Sequence, residues 1–217
     1  MNKTKAYNID CMEYMATLPD KAFELAIVDP PYGIGANKRR GNTGKNSHIK
    51  QREYHEGNWD NEIPGKYYFD ELFRVSKNQI IWGGNYMLSH LYNTPCFIVW
   101  NKDNGSNLYA DCEIAWTSFD SAVRMFTWKW HGFLQQNMKN KEFRIHPTQK
   151  PVALYEWLLM NYAKGGDKIL DTHLGSGSSR IAAHKLGFEF VGCELDKDYF
   201  EAQEKRFKLE TMQQSLF

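Results

Sequence analysis

The apolar run Phe23-Glu24-Leu25-Ala26-Ile27-Val28 stops abruptly at Asp29-Pro30-Pro31-Tyr32-Gly33, and this junction constrains the chain more than any other feature. A short apolar segment bounded by turn residues suits a strand buried on both faces of a parallel sheet. The prolines cannot continue it, because each fixes its own φ and neither offers an N–H to a ladder. The chain therefore leaves the sheet at residue 29 through a rigid, polar turn at the carboxyl end of a strand. In open α/β sheets that end is where the ligand crevice lies.

From this strand outward the pattern alternates. Strands are expected at residues 6–9, 23–28, 79–82, 96–100, 112–117, 124–130, 168–170 and 188–193. Helices are expected at 12–18, 67–75, 152–162, 180–186 and from 199 onward. Alternation through both ends of the chain makes the class α/β with a largely parallel sheet. The strand-rich middle suggests an antiparallel hairpin joined to that sheet. No repeat or low-complexity tract interrupts the pattern, and 217 residues fit one domain (1–217) able to fold without crosslinks. Segment 35–64 lacks apolar periodicity and is full of Gly, Asn, Lys and Arg; so long a structureless stretch in a compact domain is usually functional or disordered.

A second strand end carries Asp171-Thr172-His173-Leu174-Gly175-Ser176-Gly177-Ser178-Ser179 ahead of a helix. Glycines let the backbone approach a ligand, and the helix start offers free N–H groups. Glu194 ends the next strand, nineteen residues after Gly175, about where nucleotide-type sites place the acid that accepts both ribose hydroxyls. The pair points to a ribose-bearing cofactor; the glycines alone would equally suit a plain strand-to-helix turn. A dinucleotide is disfavoured, because Arg180 stands where G-x-G-x-x-G needs its third glycine. His146-Pro147-Thr148-Gln149-Lys150-Pro151 reads by itself only as a helix start with polar caps.

The Asp29 carboxylate and the Pro30 carbonyl can form two acceptors at fixed positions, which suits an amino group with two hydrogens to donate. An exocyclic base amine is a poor nucleophile because its lone pair is delocalised into the ring. Two fixed acceptors favour a pyramidal nitrogen whose lone pair points at an electrophile. Tyr32 supplies a flat face on which a base taken out of a duplex can stack. The plainer reading of a lone D-P-P is a rigid turn with an Asp cap.

The formal net charge of +1 gives no overall pull toward nucleic acid, but the charges are segregated. Residues 38–52 hold six Lys/Arg (Lys38, Arg39, Arg40, Lys45, Lys50 and Arg52) and no acid. Residues 124–150 hold six more, Lys139 and Lys141 among them, against Glu142 alone. Such segments can face phosphates, though ordinary solvated loops account for them as well. Cys11, Cys96, Cys112 and Cys193 form no C-x-x-C pair, which argues against zinc or a disulfide framework and fits a reducing cytosol. No apolar run approaches a membrane span, and MNKTKAYNID has no signal-peptide core.

Together these residues resemble the amino-methyltransferases of DNA, the N6-adenine/N4-cytosine family, in the class where DPPY precedes the cofactor loop. The resemblance runs along nearly the whole chain: Asp10-Cys11, the DPPY at 29–32, Trp100-Asn101-Lys102, HPTQKP, the Gly-Ser-Gly loop, and Glu194 followed by Tyr199. It implies a Rossmann-like methyltransferase fold with a mostly parallel seven-stranded sheet and an antiparallel hairpin. It also implies S-adenosylmethionine as methyl donor, flipping of a DNA base and no metal, while the cysteine usage and the lack of a signal-peptide core give the expectation of a cytoplasmic setting. By this resemblance Asp29, Pro30, Pro31 and Tyr32 hold the base. Asp10, His146, Thr148, Lys150, Gly175, Ser176, Gly177 and Glu194 lie in or beside the cofactor pocket. The eight basic residues Lys38, Arg39, Arg40, Lys45, Lys50, Arg52, Lys139 and Lys141 are the candidates for DNA contact. A homodimer and a cognate restriction endonuclease are the further partners it leaves open.

DPPY leans to adenine N6, S-P-P-Y to cytosine N4, and N-P-P-Y to RNA or protein glutamine. A non-catalytic nucleic-acid binder is the last alternative, and intact Asp29, Tyr32 and Glu194 count against it. Ile9 replaces the family's usual glycine, and Thr172 and His173 replace its Pro and Phe, with His173 filling the aromatic position. The segment at 131–145 is too short for an independent reading domain. A short or relaxed target sequence, or help from a second subunit, is therefore expected, with the 35–64 loop mobile without DNA and ordered on it. Pro95-Cys96 mimics the nucleophile of cytosine-C5 enzymes, but it opens an apolar run where a buried structural cysteine is expected.

Overall fold

The computed structural model describes residues 3–35, 60–105, 110–131 and 134–212. In chain order the elements are β1 (Thr4–Asn8), α1 (Cys11–Ala16), β2 (Phe23–Val28), α2 (Lys66–Val75), β3 (Ser76–Trp82), β4 (Phe97–Asn101), β5 (Cys112–Thr117) and β6 (Arg124–Thr127). There follow β7 (Trp130–His131), β8 (Leu134–Gln135), α3 (Val152–Tyr162), β9 (Lys168–Asp171), α4 (Ser178–Leu186), β10 (Glu189–Glu194) and α5 (Lys197–Met212).

The main sheet runs β1-β10-β9-β2-β3-β5-β4-β6. From β1 to β3 every neighbour is parallel; β5 lies antiparallel to both β3 and β4, and β6 is parallel to β4. The expected parallel sheet, joined by an antiparallel β4–β5 hairpin from the middle of the chain, is therefore present. Among the described residues it has eight strands, one more than the resemblance implies and the number read from the residues. The strand expected at 124–130 is divided. Arg124–Thr127 closes the sheet edge, while Trp130–His131 turns away to pair with Leu134–Gln135. The turn-off is held by indole Nε1 of Trp130 donating to the Gln149 carbonyl at 2.8 Å.

Strand alternation builds two cores. Leu25, Ile27, Ile80 and Trp82 point to the face covered by α3 and α4, packing with Leu154, Leu158 and Ile181. Ala26, Val28 and Ile81 point to the other face, against Met15 of α1 and Phe69, Leu72 and Val75 of α2. On α2 these positions recur at helical spacing, so one stripe is buried and the rest solvated. Central β2 is thus covered on both sides, which is why it reads as a continuous apolar run.

What this order does for function is set at its middle. After β2 the chain moves to β3 on one side; after β9 it moves to β10 on the other. β2 and β9 are neighbours, paired Leu25 to Ile169 and Ala26 to Leu170. Their carboxyl ends therefore diverge and open a crevice, the position where such sheets bind ligands. Asp29 leaves one rim of it and Asp171 the other.

Candidate active site

A cavity of about 710 Å³ opens at that crevice. Asp29 and Pro31 line it from β2, and His146, Thr148 and Lys150 from the segment before α3. Asp10, Gly175, Ser176 and Glu194 complete the expected residues on its wall, joined by His173 and Tyr68. Pro30, Tyr32 and Gly177 are not on the wall. Gly177 is the N-cap of α4 at φ +73°, and Tyr32 lies behind Asp29.

Both oxygens of Asp29 are engaged. Tyr32 donates its hydroxyl to Oδ1 at 2.6 Å, and Lys150 donates from Nζ to Oδ2 at 2.5 Å. Lys150 is 2% exposed and also reaches the Tyr32 hydroxyl at 3.2 Å and Glu113 Oε2 at 3.2 Å. Glu113 in turn binds Lys102 at 2.6 Å. Burial raises the Asp29 carboxyl and Lys150 opposes that rise, while the two lysines outweigh burial at Glu113 and hold it down at about 2. Lys150 therefore sits on the candidate catalytic carboxylate as well as on the cavity wall.

Tyr32 is held by more than its hydroxyl. Its backbone N–H and that of Gly33 both donate to Asp60 Oδ1, at 2.7 and 2.9 Å, and Asp60 is 1% exposed. Its ring stacks on Tyr86 at 5.3 Å between centroids and lies against Gly83, where a Cβ would come within 2.2 Å of it. One side of the ring expected to take a base is thus stacked on Tyr86. Glu113, Asp60, Gly83 and Tyr86 escape a sequence reading because they reach the site from elsewhere in the chain: Glu113 from β5, Asp60 from the segment before α2, and Gly83 and Tyr86 from one turn after β3.

At the other rim Glu194 accepts from the Gly175 N–H on Oε2 at 2.7 Å and from the Asp196 N–H on Oε1 at 2.9 Å. Each oxygen keeps a lone pair for a further donor. Gly175 has φ +49°, and a Cβ there would meet nothing nearer than 3.9 Å, so the backbone leaves open space in front of the acid. Asp171 anchors the loop by accepting from the Ser179 hydroxyl and the His173 N–H, and burial raises it to about 7. Asp10 caps α1 by accepting from the Met12 N–H at 2.8 Å.

His173 fills the aromatic position, edge-on to Tyr68 at 5.4 Å. Thr172 bridges the two, 2.7 Å from the Tyr68 hydroxyl and 2.9 Å from His173 Nδ1. Burial lowers His173 to about 4 and His146 to about 3, with Lys150 adding to the second, so both imidazoles are neutral at pH 7. His146 packs on Tyr199 at 4.3 Å and contacts Thr148. Ser176 and Ser178 are fixed from α5: Arg206 donates to the Ser176 carbonyl and the Ser178 hydroxyl, and bridges to Glu142 at 2.7 Å. Glu142 belongs to the short segment 131–145, which is thereby tied to the loop after β9.

Lys139 and Lys141 are exposed on that segment. Lys38, Arg39, Arg40, Lys45, Lys50 and Arg52, and the expected mobility of their loop, lie outside the described residues. The described ends of the loop meet where the Gly35 N–H donates to the Asp60 carbonyl at 3.1 Å, close to the DPPY turn. Cys96 is fully buried and off the cavity wall, as a structural cysteine would be. Among the described residues no three or more His, Cys, Asp or Glu are grouped to hold a metal ion, and no helix is long and apolar enough to cross a membrane.

Known proteins resemble this chain in sequence and in fold. Residues 110–205 match the family described as DNA methylase, N6_N4_Mtase. The Type II methyltransferase M2.DpnII of Streptococcus pneumoniae is 38% identical over 81 residues, 37% of this chain and only 30% of that protein. The putative methylase YubD of Escherichia coli (strain K12) is 27% identical over 212 residues, 91% of this chain and 87% of that one. Among solved structures, the M1.HpyAVI–SAM complex superposes with a TM-score of 0.59 at 21% identity, covering 94% of this chain and 98% of that one. The cytosine-N4-specific PvuII DNA methyltransferase gives 0.60 at 13% identity, covering 96% and 90%. At these identities the likeness to both structures is one of fold. The matched residues, fewer than half of the chain, include β5, the HPTQKP segment, the loop after β9, and Glu194.

Proposed function

We propose that this chain transfers a methyl group from S-adenosylmethionine to the exocyclic N6 amine of adenine in DNA. The observation that carries the proposal is that Asp29 and Glu194, an acceptor for an amine and an acceptor for ribose hydroxyls, face one cavity of about 710 Å³ from its two rims. That volume lies in the usual range for cofactor sites. The remaining lone pairs of Glu194 and the open space before Gly175 fit a ribose, and the wall beyond them, with Asp10, His146 and Thr148, suits the rest of the donor. When bound, the donor supplies a methyl group on a sulfonium, already activated for displacement, so no covalent nucleophile is needed from the protein.

The chain's own part is positioning and electrostatics. Asp29 accepts from the base amine and, with the Pro30 carbonyl, favours the pyramidal nitrogen that attacks. Tyr32 and its stacked partner Tyr86 offer aromatic surface to the flipped base. The exposed Lys139 and Lys141, with Lys38, Arg39, Arg40, Lys45, Lys50 and Arg52, neutralise phosphates along the duplex. Segment 131–145, minimal as a reader of bases, goes with a short or relaxed target sequence within a single catalytic domain. Asp29 at the head of the tetrapeptide, where cytosine-N4 enzymes more often carry serine, favours adenine.

The test is incubation with methyl-labelled S-adenosylmethionine and unmodified DNA, followed by digestion to nucleosides and mass spectrometry. Label on N6-methyldeoxyadenosine is expected, and Asp29→Ala should remove it while cofactor affinity stays within a few-fold. Label confined to N4-methyldeoxycytidine would overturn the adenine assignment, and label on neither would overturn the reaction.

A further inference from the structure

The ion network behind Asp29, centred on buried Lys150, contains one carboxylate that the chemistry above does not use. Glu113 lies on β5 in register with Trp100 of β4, and its carboxylate sits between two ammonium groups. Lys102 binds Oε1 at 2.6 Å and Lys150 binds Oε2 at 3.2 Å. Lys150 is the shared member, with Asp29 Oδ2 at 2.5 Å on its other side and the rings of Trp82 and Tyr32 beneath it at 5.4 and 5.7 Å. It is 2% exposed, so no water competes for its protons and its three donors are divided among protein acceptors.

An ammonium bound only to Asp29 would form a tight buried pair and would compete with an arriving base amine for the same oxygens. An Asp29 without any cation, with most of its side chain removed from water, would be pushed toward the protonated form and lose value as an acceptor. We propose that Glu113 is a positioning residue for methyl transfer, dividing the Lys150 ammonium between two carboxylates so that Asp29 stays ionised yet keeps acceptor capacity for the amine. This rests on the reaction proposed above and assigns a role to a residue outside the DPPY turn. The other titratable groups facing Asp29 are Tyr32 on its own turn, Tyr155 of α3, Tyr68 of α2 and Asp171 of β9. Of the acids among them, Glu113 alone shares the lysine.

Glu113→Gln removes an anion beside Asp29, so the Asp29 carboxyl should titrate at lower pH. The acid limb of the pH profile of kcat should move down by at least half a unit. The rate at the optimum should fall about tenfold or more, because Lys150 is now committed to Asp29. KM for DNA and Kd for the cofactor should stay within about twofold, and Glu113→Asp should bring the limb back toward its original position. An unshifted limb with a wild-type rate would overturn the proposal, as would losses confined to binding. If Glu113→Gln does not fold, Lys102→Met tests the same balance from the far side. Glu113 then draws Lys150 away from Asp29 and the limb moves up; an unmoved limb refutes the idea. Carbon-13 NMR titration of the Asp29 carboxyl reads the same shifts with no substrate present. A protein that methylates nothing but shows the shift would overturn the reaction and leave the network standing, whereas normal methylation without the shift would do the reverse.

Discussion

Gly83→Ala probes the site without touching the cavity wall. Gly83 follows β3 at φ +67°, in the left-handed region that costs a residue with a Cβ about 1–2 kcal/mol. The new Cβ would lie 2.2, 2.4 and 2.6 Å from Cε1, Cδ1 and Cζ of the Tyr32 ring, well inside van der Waals contact. Overpacking of this kind adds about 1–3 kcal/mol, so the total loss of stability should be about 2–5 kcal/mol. For a chain of this size that is a fall in Tm of about 4–20 °C. The ring is the part able to yield. If it swings away, its hydroxyl leaves Asp29 Oδ1 and its stack on Tyr86 opens. Methyl transfer should therefore fall at least tenfold while calorimetric cofactor affinity is kept, because Gly83 is absent from the cavity wall. A double-mutant cycle with Tyr32→Ala separates the two costs: removing the ring should recover the overpacking part, a coupling of about 1–3 kcal/mol, and leave the backbone part. If Gly83→Ala melts within a degree or two of wild type, or if the cycle shows no coupling, the Tyr32–Gly83 contact does not hold the catalytic turn in place.

Two further expectations concern the donor side. Glu194→Ala should weaken S-adenosylmethionine binding by at least about tenfold, since a hydrogen bond to a charged group contributes about 1.5–3 kcal/mol and the Gly175 N–H loses its acceptor as well; an unchanged calorimetric Kd would assign the ribose to another acid, with Asp196 the first to examine. His173→Phe should flatten the acid side of the stability curve. The folded-state pKa of about 4 lies below the ordinary 6.5, so the unfolded chain takes up a proton first as pH falls. This contribution is fully present above pH 6.5 and is lost toward pH 4, at about 1.4 kcal/mol per pH unit. Urea titrations across that window in which the variant keeps the wild-type slope would contradict a buried neutral imidazole.

The parts of the site that a sequence exposes are those whose meaning lies in their own stretch of backbone. Asp29-Pro30-Pro31-Tyr32 announces a strand end because proline cannot extend a ladder. Glu194 stands nineteen residues from Gly175 because one helix, α4, must cross the sheet before the next parallel strand can begin, and the length of that crossing sets the interval. Asp10 entered only through the resemblance, and the structure shows it as the cap of α1. Glu113 is different. In Cys112-Glu113-Ile114 it looks like the solvent side of an alternating strand, and only the pairing of β5 with β3 and β4 brings it behind Asp29. Lys150 shows the intermediate case: its motif places it near the site but cannot say which rim it serves, and its 2.5 Å contact is made with a residue 121 positions earlier. Asp60 reaches back across 28 positions to hold the Tyr32 N–H. A local turn or cap is decided by steric rules that act over a few residues, whereas these contacts depend on sheet register, which the two cores fix by burying one set of side chains on each face. The acceptor proposed to meet the base is therefore readable in the chain, and the charges proposed to tune it become visible only once the sheet has folded.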